Sequence, residues 1–323
     1  MVFLGTGGSV PTAKRATACV LVRAGGDRLL FDCGEGSQRQ MQRSTGLVHV
    51  DDIYITHFHA DHYLGIPGLL KTYDLNDRTR PLRVIGPPGL VDLFAALRRI
   101  FGRLSYEVEL VELGPGEAVP YDGYEVRAFA VEHRITAYGY ALVEKTRPGH
   151  LDPEAAARLG VPEGPDLGRL QRGETVAGSS GPVRPAHVMG PARTGRKLVI
   201  AGDTAPCEMT RLAAHEAQVL VHDGSFIESE LARAAETGHS TARQAAELAR
   251  EAGVQMLALV HVSSRYDIRE VLAEAREVFP DALAPRDFDL VEIPFPERGA
   301  PRLIEKGARQ RPDPAAAEPS PAP

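Results

Sequence analysis

Short apolar runs of strand type recur along the chain, with amphipathic stretches between them. Runs at 2–4, 19–22, 28–32, 52–56, 82–85, 125–130, 138–143, 198–201, 219–223 and 256–260 are rich in aliphatic and β-branched residues and predict strands. Leu90, Phe94, Leu97 and Phe101 repeat at the 3.6-residue period and predict a helix over 90–101. Thr241 and Gln244 form a T-x-x-Q capping box ahead of AAELAREA, and Gly253 supplies the stop. Asp267 and Glu270 repeat the start signal before VLAEAREVF, which ends at Pro280; further helices are expected near 38–43 and 69–74. Strands and helices mixed throughout predict an α/β fold.

Two segments break the rhythm. From about 144 to 197 the chain is rich in Gly and Pro and offers one weak helix near 154–159, and a loop that long inside a domain is commonly functional or disordered. From 308 onward the composition turns to Pro and Ala, with five prolines in the last twelve residues, which predicts a disordered, solvated tail over 308–323. The 323 residues allow two small domains or one large one, and 43% hydrophobic content is ample for a core.

Net charge changes the picture locally. The whole chain carries 37 Lys and Arg against 43 Asp and Glu, a formal −6, which argues against a general nucleic-acid coat protein. Residues 145–197 hold nine basic side chains against five acidic ones, a local +4 that leaves the remainder at −10. Cys19, Cys33 and Cys207 stand apart without CxxC spacing, so they read as buried apolar side chains. No run of 18 apolar residues and no charged leader occurs, so a cytoplasmic protein with no membrane association is the expectation.

Candidate chemistry begins directly after the strand-like 52–56 run, with His57-Phe58-His59-Ala60-Asp61-His62, the pattern HxHxDH. Residues two apart on extended chain point the same way, so His57 and His59 can present imidazoles to one ion, while Asp61 and His62, where the chain turns toward a helix, can face a second. His133 follows the 125–130 strand, Asp203 sits in Gly202-Asp203-Thr204 after 198–201, and His261 ends the 256–260 strand. Every one of these candidates lies just past a strand, where open α/β sheets build their sites. Asp203 has two carboxylate oxygens with which to bridge two metals.

This set resembles the metallo-β-lactamase superfamily. Within it, Phe3-Leu4-Gly5-Thr6-Gly7 with Pro11, the run from Leu30 to Gln40 containing Cys33-Gly34-Glu35-Gly36-Ser37-Gln38, Gly238-His239-Ser240-Thr241 and the HxSxRY run from His261 to Tyr266 resemble the ribonuclease Z family of tRNA 3′-processing endonucleases. The resemblance implies a four-layer αββα sandwich over residues 1–305 with an inserted flexible arm at about 145–197. It implies that His57, His59 and His133 bind a first zinc, that Asp61, His62 and His261 bind a second, and that Asp203 bridges them, with manganese an alternative ion. The arm would grip tRNA away from the cut, with Gly164 and Pro165 in its glycine-proline motif, and a homodimer is implied. Two departures stand out: Asp223 occupies a place where the family usually has glutamate, and Ser37 one where threonine is usual.

The expected chemistry is phosphodiester hydrolysis of precursor tRNA, leaving a tRNA 3′-OH and a 5′-phosphorylated trailer. Asp61 is the candidate general base, His239 the candidate general acid, and Arg265 a candidate phosphate contact that competes with a salt bridge to Asp267 or Glu270. Deleting 149–174 should weaken cleavage of precursor tRNA and spare a small diester. Two other readings remain: a phosphodiesterase or arylsulfatase of the same superfamily acting on small esters, which needs no basic insertion, and an RNA-binding module with a vestigial metal site, against which the full ligand set speaks.

Overall fold

The strand Asp52–Tyr54 shows how the layers are assembled. Tyr54 points into the core between two sheets, its ring 5.1 Å from Phe31 and 5.0 Å from Tyr140, whereas Ile53 and Ile55 join an apolar cluster beneath helices on the outer face. A run apolar on both faces is what a strand covered on both sides requires. The computed structural model describes residues 1–304, so the segment read as a tail over 308–323 lies outside the described residues.

One sheet has eight strands in the order Arg302–Ile304, Leu290–Glu292, Val2–Gly5, Cys19–Ala24, Asp27–Phe31, Asp52–Tyr54, Leu82–Gly86 and Val108–Glu112, antiparallel up to Asp27–Phe31 and parallel beyond it. The facing sheet has seven: Ala282–Leu283, Met256–Val260, Val219–Asp223, Lys197–Ile200, Tyr138–Glu144, Tyr124–Ala130 and Ala118–Pro120, parallel over the first four. Helices Ser37–Ser44, Ile66–Leu75 and Leu90–Phe101 cover the first sheet, and Glu208–Ala214, Ala242–Ala252 and Ile268–Val278 the second. This is the αββα sandwich.

Local signals fix several of these elements. Thr241 accepts from the Gln244 amide at 3.1 Å while Gln244 accepts from the Thr241 amide at 3.0 Å, and Gly253 ends the helix at φ 68°. Asp267 caps its helix through the Arg269 amide, with Glu270 taking no part. The short strands Val108–Glu112, Ala118–Pro120, Ala282–Leu283, Leu290–Glu292 and Arg302–Ile304 escape sequence reading because none holds more than two apolar residues in a row.

The insertion is more ordered than its composition predicts. Besides the expected helix, observed at Pro153–Arg158, it contains a helix at Pro165–Gln171 and a hairpin of Val176–Gly178 with Gly181–Val183. Ala156, Val161, Leu170, Val176, Val183 and Val188 bury a small core of their own, too widely spaced to register as a pattern. Its two ends meet in a pair of hydrogen bonds, Arg147 N to Arg193 O at 2.8 Å and Arg193 N to Arg147 O at 2.9 Å. Glu297 accepts from both guanidinium groups, and that of Arg147 lies 3.6 Å over the Phe295 ring. The pair Lys197↔Val143 places this root at the end of the second sheet opposite the C-terminal ends of its parallel strands.

Candidate metal centre

Beyond Tyr54 the backbone stays extended through His59, at φ −77° and ψ 145°, and then turns into the short helix Ala60–Tyr63. His57 and His59 therefore share a face, while Asp61 and His62 are carried round by the helical turn. The strands Tyr124–Ala130, Lys197–Ile200, Val219–Asp223 and Met256–Val260 all end at the same edge, delivering His133, Asp203, Asp223 and His261. Gly202 makes the turn before Asp203 at φ 69°, and a Cβ there would stand 3.0 Å from the Thr56 side chain.

Seven side chains converge in two groups. In the first, His57 Nε2 and His133 Nε2 lie 3.0 and 3.2 Å from His59 Nδ1, and His57 Nε2 lies 3.8 Å from Asp203 Oδ2. In the second, His62 Nε2 and His261 Nε2 are 3.5 and 3.2 Å from Asp61 Oδ2, and 3.3 and 3.1 Å from Asp203 Oδ2. A single oxygen, Oδ2 of Asp203, thus faces both groups.

Hydrogen bonds behind the site decide which ring nitrogen is bare. Asp32 Oδ2 accepts from His62 Nδ1 at 2.8 Å, and its oxygens also take the Thr56 amide and hydroxyl. Because the Thr56 hydroxyl donates to Asp32, it accepts from His57 Nδ1 at 3.0 Å. Gly238 O accepts from His133 Nδ1 at 2.7 Å, and Ser225 Oγ from His261 Nδ1 at 2.8 Å while donating to Asp223 Oδ1. Four imidazoles are therefore fixed with Nε2 lone pairs aimed inward, the arrangement by which outer acceptors orient metal ligands.

Left as protein alone, this geometry is electrostatically costly. Buried His62 Nε2 has no hydrogen-bond partner, although two carboxylate oxygens and His57 surround it. Burial and the neighbouring His62 push the His57 imidazole well below its ordinary value, and burial lowers His59 and His133. Burial alone would raise the Asp203 carboxyl, but His261 and His62 hold it well below the usual carboxylate range; hydrogen bonds from His261 and His62 do the same for Asp61. His62 and His261 are raised in turn, burial being outweighed by Asp203.

Lone pairs facing lone pairs and anions fit a divalent cation in each group. Ligand nitrogens on tetrahedral zinc stand about 3.3 Å apart, close to the spacings here, and imidazole with carboxylate is a donor set for zinc. Asp32, at the end of Asp27–Phe31 and missed as a functional residue in the sequence, follows the same strand-terminus rule as the ligands. Asp32→Asn is expected to weaken divalent-ion affinity about 10- to 100-fold, read by competition against a chromogenic chelator, because the amide no longer holds His62 in the ligating tautomer.

The remaining candidates divide. His239 stands beside the cluster, its ring 5.0 Å from His133 and 5.1 Å from His261, with Nδ1 donating to Asp223 Oδ2 at 2.6 Å. Burial would depress this imidazole, yet Asp223 raises it to about 9. Asp223, the shorter carboxylate at the glutamate position, reaches His239 and Ser225 together. Arg265 lines a cleft with His239 and His261 and is not paired with Asp267, which binds Arg269. Gly164 and Pro165 lie on the insertion, where Pro165 is the first residue of its helix. Ser9, unnoticed in the sequence, donates its amide to Asp61 Oδ2 at 2.9 Å, and Gly8 is needed there because a Cβ would come within 2.6 Å of His261 O.

Comparison with known proteins places these residues in a wider set. The family model described as metallo-beta-lactamase superfamily matches residues 13–252. Ribonuclease Z of Myxococcus xanthus is 50% identical over 284 residues, covering 86% of this chain and 92% of that protein. Ribonuclease Z of Methanosarcina acetivorans is 46% identical over 299 residues, covering 91% and 97%. Among solved structures, human tRNase Z, short form, aligns with a TM-score of 0.67 at 26% identity, covering 91% of this chain and 98% of that one. A diphosphatase from the PhnP family aligns at 0.59 and 17% identity over 88% and 94%, a likeness of fold alone.

Proposed function

The chain belongs to the metallo-β-lactamase superfamily and, within it, to the ribonuclease Z family of endoribonucleases, and from that premise we propose that it removes the 3′ trailer from precursor tRNA, using two zinc ions per subunit. The observation that carries the reading is that Asp203 Oδ2 stands 3.8 Å from His57 in one donor group and 3.3 and 3.1 Å from His62 and His261 in the other, beside a His239–Asp223 couple. His57, His59, His133 and Asp203 would hold one ion, and Asp61, His62, His261 and Asp203 the other. When bound, such a pair supplies Lewis acidity toward the phosphate oxygens and lowers the pKa of water.

The chain's own residues supply the proton handling. Asp61 commits Oδ2 to the cluster and to Ser9, while Oδ1 has no protein hydrogen bond among the described residues and would orient and deprotonate the attacking water. Attack on phosphorus breaks the bond to the upstream 3′ oxygen. His239, held by Asp223 through Nδ1, delivers the proton from Nε2 to that oxygen. The products are a tRNA ending in 3′-OH and a trailer beginning with 5′-phosphate. Incubating a 3′-extended tRNA with the metal-loaded protein, and mapping the cut and both end groups, tests this; a 2′,3′-cyclic phosphate or scattered cuts would contradict it.

Substrate grip falls to the insertion. Arg158, Arg169 and Arg172 pair with its own carboxylates, but these pairs are exposed, so phosphates can displace them at little cost. Deleting 149–174, the cut suggested by sequence, would tear Ala156, Val161 and Leu170 from a core shared with the hairpin. Joining Arg147 to Arg193 through two glycines instead closes the chain where it already pairs. That variant is expected to lose about 100-fold in kcat/KM on precursor tRNA at moderate salt while hydrolysing bis(p-nitrophenyl) phosphate at the wild-type rate. Equal loss on both substrates would count against the insertion as the substrate grip.

We read the working form as a homodimer in the cytoplasm. Leu75, 76% exposed on Ile66–Leu75, offers apolar surface for a second copy, and the root of the arm lies at the end of the sandwich away from its own metal centre. Among the described residues no helix is long and apolar enough to cross a membrane.

A further inference from the structure

The cleft lined by His239 and His261 encloses about 310 Å³, at the small end of ligand-sized sites. Arg233 and Arg265 line it together with His239 and His261, and none of its described lining residues is Asp or Glu. Arg233 lies on Leu231–Thr237, the helix that leads through Gly238 into His239. Among the described residues its one ion-pair partner is Glu230, at the outer limit of such a pair, 4.0 Å, with both side chains over 40% exposed. Such a contact is weak and yields readily to a better anion. Two guanidinium groups around a cavity without acidic lining make a site for a phosphate oxygen, since a guanidinium offers a fork of donors with fixed geometry.

We propose that Arg233 binds the phosphodiester one nucleotide upstream of the cut, and so positions the acceptor end of the mature tRNA against His239. The inference rests on the precursor-tRNA reading and assigns a substrate contact within it. The direction follows from the chemistry. His239 protonates the departing 3′ oxygen, which belongs to the upstream nucleotide, and water attacks phosphorus from the opposite side. The ribose and the next phosphate in the upstream direction therefore continue past His239, into the cavity that Arg233 lines, and the trailer leaves on the other side. Arg233 touches no reacting atom in this arrangement; it acts by fixing where the leaving oxygen sits.

A substrate with one charge removed tests the assignment. Three precursors are compared: unmodified, with a neutral methylphosphonate one nucleotide upstream of the cut, and with the methylphosphonate one nucleotide downstream. On the unmodified precursor R233Q is expected to lower kcat/KM by about 10- to 100-fold, the range for a hydrogen bond to a charged group, and R233K to recover part of the loss. The upstream methylphosphonate should cost the wild type a similar factor and R233Q almost nothing more, while the downstream one should leave the R233Q deficit intact. A deficit that persists on the upstream-modified substrate, one that disappears on the downstream-modified substrate, or no deficit at all overturns the proposal. Failure of the wild type to cut the unmodified precursor would instead remove the tRNA reading, and this inference with it.

Discussion

Asp203→Ala is expected to yield a folded protein that retains neither ion after gel filtration and cuts precursor tRNA no faster than background. The reason is the single oxygen standing 3.1 to 3.8 Å from His57, His62 and His261, which serves both donor groups. Without it each group keeps only neutral imidazoles, plus Asp61 in one case, and two divalent ions, held as proposed, would lose the carboxylate common to their donor groups. Metal analysis and differential scanning calorimetry check the result together. Ligand at 1,000 times its dissociation constant stabilises the native state by about 4 kcal/mol, so saturating zinc should raise the wild-type Tm by several degrees and leave that of the variant almost unmoved. A variant that still binds two equivalents of zinc would show that the donors do not work as a shared cage.

Asp61→Asn should be nearly as inactive for a different reason. Asparagine keeps the size of the side chain and an oxygen to accept the Ser9 amide, but it cannot take a proton from water and is a poorer ligand beside His62 and His261. The group of His57, His59 and His133 does not include it, so at least one equivalent of zinc should remain. Loss of a general base costs about 10²- to 10⁴-fold, and loss of a ligand adds to it, so kcat should fall by at least about 10³ with KM changed far less. Near-normal kcat at saturating zinc would mean that the proton leaves by another route.

What the sequence disclosed follows from how each residue announces itself. His57, His59, Asp61 and His62 occupy one hexapeptide, so their grouping was legible before any folding. His133, Asp203 and His261 were single residues, joined only by the rule that each follows a strand; the common edge of the two sheets is the physical content of that rule. Asp32 obeys it equally, but an aspartate at a strand end is usually a turn residue, and only its bonds to His62 and Thr56 reveal another role. The core of the insertion stayed hidden because Val161, Leu170 and Val183 meet through tertiary packing and not through periodicity. Arg233 carries no motif in the sequence, and the cavity it lines exists only in three dimensions.

The meeting of Arg147 with Arg193 has an evolutionary consequence. Because the polypeptide leaves and re-enters the sandwich across one hydrogen-bonded pair, everything between these residues behaves as a cassette whose length and shape the host does not register. Exchange, enlargement or loss of such a module would leave the strand ends that carry His133, Asp203 and His261 where they are.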